Sequence, residues 1–99
     1  MTEPRIEPGA PHPREEARTG LLVQTPFDAA FVSALKATIP VPDRAWLETE
    51  RAWWVAPDHH ATVIRLCLQA FDRVFVSGGA SEPDYWVDRD GTVQQERLW

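Results

Sequence analysis

The clearest alternation of apolar and polar positions lies at residues 44–57, and it predicts a β-hairpin with a polar tip. Three of the five tryptophans of the chain fall within nine residues of this stretch. A loop with an even number of residues fixes the register, since a slip of one residue would exchange the two faces. The predicted cross-strand neighbours are Trp46 with Trp53, Arg44 with Val55, and Glu48 with Arg51.

The two faces of this hairpin differ in character. One face is entirely apolar, so it is expected to face a core; it carries Ala45, Leu47, Ala52, Trp54 and Ala56. The other face carries the pair Trp46 and Trp53, flanked by Arg44 and Arg51. A small core does not require such an arginine-flanked pair, and we therefore expect the function to lie on this face.

The remaining periodic segments predict two helices and two further strands. Residues 21–25 form a short apolar strand. A first helix follows, capped by Thr25 with Pro26 at its first position, and ends near Thr38. Asp58 caps a second helix, and residues 73–77 form a strand that ends at Gly78-Gly79. The predicted buried stripes are Phe27, Ala30, Phe31, Ala34 and Leu35 in the first helix, and Val63, Ile64, Cys67, Ala70 and Phe71 in the second.

The order of these elements is β-α-β-β-α-β, which predicts an α+β fold of the ferredoxin-like type. We expect one antiparallel sheet with both helices on one face. Residues 1–19 are rich in proline and charge and are expected to be a disordered arm, residues 20–78 the folded domain, and residues 79–99 an acidic tail. Asp90-Gly91 is a turn signal within that tail. An added β-ribbon and the start of a longer segment are equally good interpretations of it.

Composition and charge narrow the classes of partner. The net charge is −5, and residues 79–99 carry two arginines against five acids. This is a poor footprint for strong, sequence-independent nucleic-acid binding, although it leaves room for a small basic site. A single cysteine, Cys67, excludes an internal disulfide, and no apolar run is long enough to span a bilayer. We expect a cytoplasmic protein with no membrane partner.

Residues able to do chemistry are sparse. His59, His60 and Cys67 are too few ligands for a zinc site. The stretch around Asp90-Gly91 lacks ligands at the first and last positions of a calcium loop. No Ser/His/Asp, Cys/His or paired-carboxylate arrangement has supporting context. We therefore expect a non-enzyme without a cofactor or metal.

One family resemblance covers about half of the chain, from Thr25 to Phe71. The residues that carry it are Pro26-Phe27, Phe31-Val32, Leu35-Lys36, Arg44-x-Trp46, Arg51-x-Trp53-x-Val55, Val63 and Leu66. This pattern resembles the HARP-type module of SWI/SNF-related annealing helicases and its small bacterial relatives. The resemblance implies a non-catalytic domain that handles single-stranded or forked DNA beside a helicase motor. It also implies that the contacts are Lys36, Arg44, Trp46, Arg51 and Trp53.

No motor accompanies this pattern, because the sequence contains no Gly-x-x-x-x-Gly-Lys-[Ser/Thr] loop. The His-Pro-Asp of a co-chaperone J-domain is absent too.

Two main hypotheses for function follow. The first is a module that contacts single-stranded or branched nucleic acid through the tryptophan pair. The second is a protein-interaction or homodimerisation domain that uses the same aromatic face, and a third is a detached piece of a larger enzyme. A purely structural alternative also stands, in which Trp46 and Trp53 are a cross-strand packing pair and Arg51 pairs with Glu48 or Glu50.

Overall fold

A seven-stranded mixed sheet and two α-helices make up the computed structural model, which describes residues 3–15, 17–78 and 83–95. The predicted α+β class is confirmed. The strands are β1 (Arg5–Pro11), β2 (Thr19–Gln24), β3 (Arg44–Leu47), β4 (Ala52–Val55), β5 (Arg73–Val76), β6 (Tyr85–Asp88) and β7 (Val93–Gln95), and the helices are α1 (Ala29–Thr38) and α2 (His60–Ala70).

The strand order is β3-β4-β2-β1-β5-β6-β7. From β2 to β5 the chain follows the predicted β-α-β-β-α-β order, and β2, β4 and β3 pair antiparallel. A simple ferredoxin-like sheet would place β2 directly beside β5. Here β1 lies between them, antiparallel to β2 and parallel to β5. The prediction of a simple, all-antiparallel ferredoxin-like sheet was therefore wrong.

Strand β1 lies within residues 1–19, which we expected to be a disordered arm. The described part of that segment instead forms a central strand, because Ile6 supplies an apolar anchor that is only 1% exposed. Ile6 pairs with Val23 on one side and Val76 on the other. The prolines are tolerated because the pairing with β2 shifts register between Glu7 and Ala10, where the ladder needs fewer donors.

Both helices cover one face of the sheet, as predicted. Their buried side chains meet those of the strands in one core, which contains Ile6, Leu21, Val23, Phe31, Leu35, Ile39, Val55, Val63, Leu66, Cys67, Val74, Val76 and Val87. Burial of these apolar side chains is the main stabilising contribution in a domain of this size. None of the helices among the described residues has the length and apolar content that a membrane crossing needs.

The start of α1 differs from the prediction. Asp28, and not Thr25, is the N-cap, and its Oδ1 accepts a hydrogen bond from the Phe31 N–H at 2.8 Å. Asp28 caps well because its short carboxylate reaches the third residue after it. Phe27 therefore precedes the helix and lies outside its buried stripe, with 86% of its surface exposed.

Beyond β5, the turn around Gly91 joins β6 to β7. Gly91 has a φ of 91°, and its N–H donates to the Asp88 carbonyl at 2.8 Å. Strand β6 pairs antiparallel with β5, so the ribbon interpretation is correct and the ribbon extends the main sheet. The terminal Leu98-Trp99 and the glycine at position 79 lie outside the described residues.

Candidate ligand-binding groove

Strands β3 and β4 form the predicted hairpin, here called the tryptophan hairpin, and it has the predicted register. Trp46 pairs with Trp53 and Arg44 with Val55. At the tip, the Arg51 N–H donates to the Glu48 carbonyl at 3.3 Å. Arg51 closes the turn with a φ of 52°, in the left-handed region that four-residue hairpin loops use. These cross-strand predictions are confirmed.

The two faces of the hairpin are covered differently from what we expected. Leu21 pairs with Val55 and Val23 with Trp53, so the Trp46/Trp53 face is the one that looks towards the helices. Val55 belongs to the helix-covered core, and Trp53 packs against that core half-buried. The all-apolar face is buried as predicted, with Ala52, Trp54 and Ala56 at most 4% exposed, but its cover is not the helices. Both faces of this hairpin carry large apolar groups, and each has its own cover.

The opposite face centres on Trp54, which is fully buried under the connection between β1 and β2. The His12 ring packs edge-on against the indole with 4.6 Å between centroids, and the Arg18 guanidinium lies 5.0 Å from its centre. The His12 Nδ1 in turn accepts the N–H groups of Arg14 and Glu15 at 3.0 and 3.2 Å. His12 and Arg18 therefore cover the Trp54 ring on this face.

Between α1 and the hairpin lies a groove of about 260 Å³. We call it the Trp46 groove, and its lining includes Val23, Thr25, Phe27, Val32, Trp46, Arg51 and Trp53. Phe27 forms one rim, and Trp46, which is 47% exposed, forms the other. Two accessible aromatic rings thus flank one apolar floor.

The two tryptophans of the groove have different roles. Their ring centroids are 5.3 Å apart with an interplanar angle of 65°, the edge-on geometry of a cross-strand aromatic pair. The Trp46 indole N–H donates to Glu48 Oε1 at 2.9 Å, which orients its ring. Trp53 packs against the core, whereas the ring of Trp46 remains open to a ligand.

The three predicted cations are also unequal. Arg44 donates its Nε–H to the Ile39 carbonyl at 2.8 Å and so ties β3 to the end of α1. The exposed side chain of Arg51 forms no hydrogen bond or ion pair with any described residue, so its alternative pairing with Glu48 or Glu50 is not observed. Lys36 is exposed, one helical turn after Val32 and therefore on the same side of α1.

Arg51 also lines a second cleft of about 380 Å³ around the end of the sheet. This cleft continues from the Trp46 groove through Thr25 and reaches Arg5. Arg5 pairs with Glu7 at 3.1 Å and lies 4.8 Å from the centre of the Phe75 ring. Glu3 lines the same cleft, so charges of both signs border it, and Arg51 is its cation without a side-chain partner among the described residues.

Phe27 is the exposed aromatic residue of the lining that the sequence did not predict as part of the site. The helical period that it shares with Phe31 predicts a place for it in the buried stripe. The sequence does contain a signal for this start of the helix. Aspartate is a better N-cap residue than threonine, so choosing Asp28 instead of Thr25 as the cap places Phe27 before the helix.

The ionisable groups outside the groove have structural roles. Asp43 accepts from Arg18 and meets His59 Nε2, each at 2.9 Å. These hydrogen bonds, His59 first, hold the pKa of Asp43 below its ordinary value. Burial raises the pKa of the Cys67 thiol to about 12. Among the described residues there is no group of three or more His, Cys, Asp or Glu side chains that could hold a metal ion.

Comparison with known proteins identifies no relative of this chain. No protein-family model matches the chain, and no curated protein or solved structure gives a significant match. The resemblance to the HARP-type module therefore stays a prediction that rests on the residue pattern alone.

Proposed function

We propose that this protein is a non-catalytic binding module that contacts single-stranded or forked nucleic acid through the Trp46 groove. The observation that carries the proposal is the pairing of two exposed aromatic rings, Phe27 and Trp46, with the unpaired cation Arg51 at one groove. Nonspecific single-strand binders combine these two features, aromatic surfaces for the bases and cations for the backbone.

In this proposal, Trp46 and Phe27 contact the bases. Stacking of one base on an aromatic ring contributes about 1–3 kcal/mol and tolerates any base, because every base has a π-face. The Trp46 ring is held in place by Trp53 behind it and by the hydrogen bond to Glu48, so little side-chain entropy is lost on binding. Trp53 acts as a support and not as a stacking surface.

In this proposal, Arg51 and Lys36 contact the phosphate backbone of the nucleic acid. Neither side chain has to leave a described partner to reach a phosphate, whereas Arg44 would have to loosen its bond to the Ile39 carbonyl. With two or three cations and a net charge of −5, the electrostatic contribution is small. For single strands, log K falls with log salt by about 0.7 per neutralised phosphate, so we expect a slope of about −1.4 to −2.

The test is fluorescence anisotropy of a labelled short single-stranded oligonucleotide, titrated with the protein at low and moderate salt. We expect Trp46→Ala to weaken binding about tenfold or more, in line with the loss of one stacked base. Arg51→Gln is expected to lower the salt slope by about 0.7. Arg65→Gln, which removes an exposed arginine from α2, is the matched charge control and is expected to leave binding unchanged.

Two results contradict the proposal. One is the absence of binding by the wild-type protein at high micromolar concentration in low salt. The other is binding that Arg65→Gln weakens as much as Arg51→Gln, since that outcome indicates diffuse attraction without a site.

A protein partner is the second candidate for the same groove. The observation that favours it is the position of β3 at an edge of the sheet, with Trp46 on that edge strand. Exposed tryptophans at such places are typical interface hot spots. Association that depends on concentration but hardly on salt would favour this candidate over nucleic acid.

A further inference from the structure

The free edge of β3 is unusually well suited to pair with another strand. Among the described strands it is the last of the sheet on its side, and residues 44–47 contain no proline, lysine or bulge to block pairing. We propose that β3 pairs antiparallel with β3 of a second copy of this chain, about a two-fold axis at Trp46. This names the partner for the second candidate function and does not depend on nucleic-acid binding.

The backbone of β3 presents suitable groups. The Ala56 N–H donates to the Asp43 carbonyl at 2.9 Å, so that carbonyl faces β4. Main-chain groups alternate sides along an extended strand, so those of Ala45 and Leu47 face β4 as well. The N–H and C=O of Trp46 consequently point to the free side. In a two-fold pair they exchange two hydrogen bonds with Trp46 of the second copy.

The side chains of β3 and of Glu48, the first residue of the following turn, are complementary to themselves in this register. Placing Trp46 opposite Trp46 of the second copy sets Arg44 opposite Glu48 and Ala45 opposite Leu47. The five cross-strand positions are then one aromatic pair, two opposite-charge pairs and two apolar pairs, which are the combinations that stabilise antiparallel ladders.

Both neighbouring registers with the same faces aligned are less complementary. Centring the axis on Leu47 sets Trp46 opposite Glu48 and extends the ladder into residues 48–51, which form the turn. Centring the axis on Ala45 sets Leu47 opposite Asp43 and leaves Glu48 without a partner in the ladder. A two-fold axis normal to the sheet keeps the helices of both copies on one side, so registers of the other parity are excluded. The side chains therefore select the register centred on Trp46.

A dimer of this kind changes the Trp46 groove. Trp46 already packs against Trp53 at 5.3 Å. The second copy completes a row of four tryptophans, Trp53-Trp46-Trp46-Trp53, across the axis. The two grooves then lie side by side on one face, and each Trp46 is partly covered by the second copy.

Disulfide trapping tests the register. Ala45 and Leu47 of the second copy form a pair without mutual hydrogen bonds, with Cα atoms about 4.5 Å apart, which lies within the range that a disulfide bridges. We therefore expect a mixture of Ala45→Cys and Leu47→Cys proteins to give mainly the mixed dimer under mild oxidation. Intact mass under non-reducing conditions separates it from the two homodimers.

The controls keep the result interpretable. Cys67 is fully buried and does not contribute crosslinks. Ser33→Cys, on an exposed position of α1, measures the collisional background. A predominance of the Ala45→Cys homodimer overturns the register, and crosslinking no greater than that of Ser33→Cys overturns the pairing itself.

A charge swap gives a second, independent measurement. By sedimentation, Glu48→Arg is expected to shift the protein towards monomer, and Arg44→Glu/Glu48→Arg to restore the dimer. Failure of the double variant to recover association, while it remains folded by circular dichroism, overturns the Arg44–Glu48 pair. Loss of crosslinking with intact oligonucleotide binding overturns this inference alone, and the reverse result overturns the nucleic-acid proposal alone.

Discussion

Trp54 donates its indole N–H to the carbonyl of Ala10 at 3.0 Å, across 44 positions of the sequence. The bond joins β4 to the far end of β1 on the face that the helices do not cover. It satisfies a donor that is otherwise sealed from water, since Trp54 is 0% exposed.

Replacing this donor is expected to be costly. Trp54→Phe removes the N–H and leaves the Ala10 carbonyl without its partner, so we expect the free energy of unfolding to fall by about 1–3 kcal/mol. Urea denaturation followed by circular dichroism measures the change. Trp46→Phe is the matched control, because its N–H bonds to Glu48 at an exposed site. Equal losses of unfolding free energy in the two variants would show that the buried hydrogen bond stabilises the fold no more than the exposed one.

Gly20 is expected to tolerate no side chain. A Cβ at this position would lie 2.5 Å from the Val55 carbonyl oxygen and 2.7 Å from the Trp54 ring. Because backbone and a packed indole must both move, we expect Gly20→Ala to lower stability by about 1–3 kcal/mol. The neighbouring Thr19→Ala, at an exposed strand position, is the control. Equal thermal midpoints for the Gly20→Ala and wild-type proteins would contradict the close approach.

The Asp43 cluster predicts a pH dependence of stability. Its pKa is lowered in the folded state, so its ionised form contributes stability above the ordinary value near 3.8. That contribution is lost as the pH falls through the lowered pKa of the folded state. Asp43→Asn is therefore expected to melt below wild type at neutral pH, with a difference that shrinks in acid. Thermal melts of both proteins across the acid range measure this, with Asp58→Asn as the control. A difference that stays constant down to the lowest pH would contradict the linkage.

Cys67 is expected to be unreactive in the folded protein. Burial raises the pKa of its thiol to about 12, and the thiolate is the reactive species. Iodoacetamide at mildly alkaline pH is expected to leave the native protein unmodified and to alkylate it fully in urea. Mass spectrometry distinguishes the two states. Rapid alkylation without denaturant would mean that the core opens readily around α2.

The hairpin was predictable because its information is local. Alternation, the polar tip and the tryptophan spacing fixed the pairing of Trp46 with Trp53, and the structure has that pairing. The cover of each face was not predictable from these residues. Trp53 and Trp54 are adjacent and equally apolar, so only the distant partners, the helices for one and His12 for the other, decide what lies over each.

Strand β1 was not predictable, because the information that determines it is not local. Its local composition is that of a disordered segment, and only Ile6 carries a strong apolar signal. The strand exists because β2 and β5 both offer it partners, which is a tertiary effect that overrides local preference. In the candidate site, the sequence predicted Trp46 and Arg51 but not Phe27, whose exposure follows from where α1 begins.

The central position of β1 has a consequence for how the chain folds. It is synthesised before the other described strands, and β2 is available to pair with it soon afterwards, but Arg5 meets its parallel partner Phe75 only after most of these strands have been made. Until then one side of β1 has no neighbour, and pairing across so many residues is entropically slow. Completion of the sheet is therefore expected to be a late step in folding, since β1 waits for β5, and β5 and β6 in turn wait for β6 and β7.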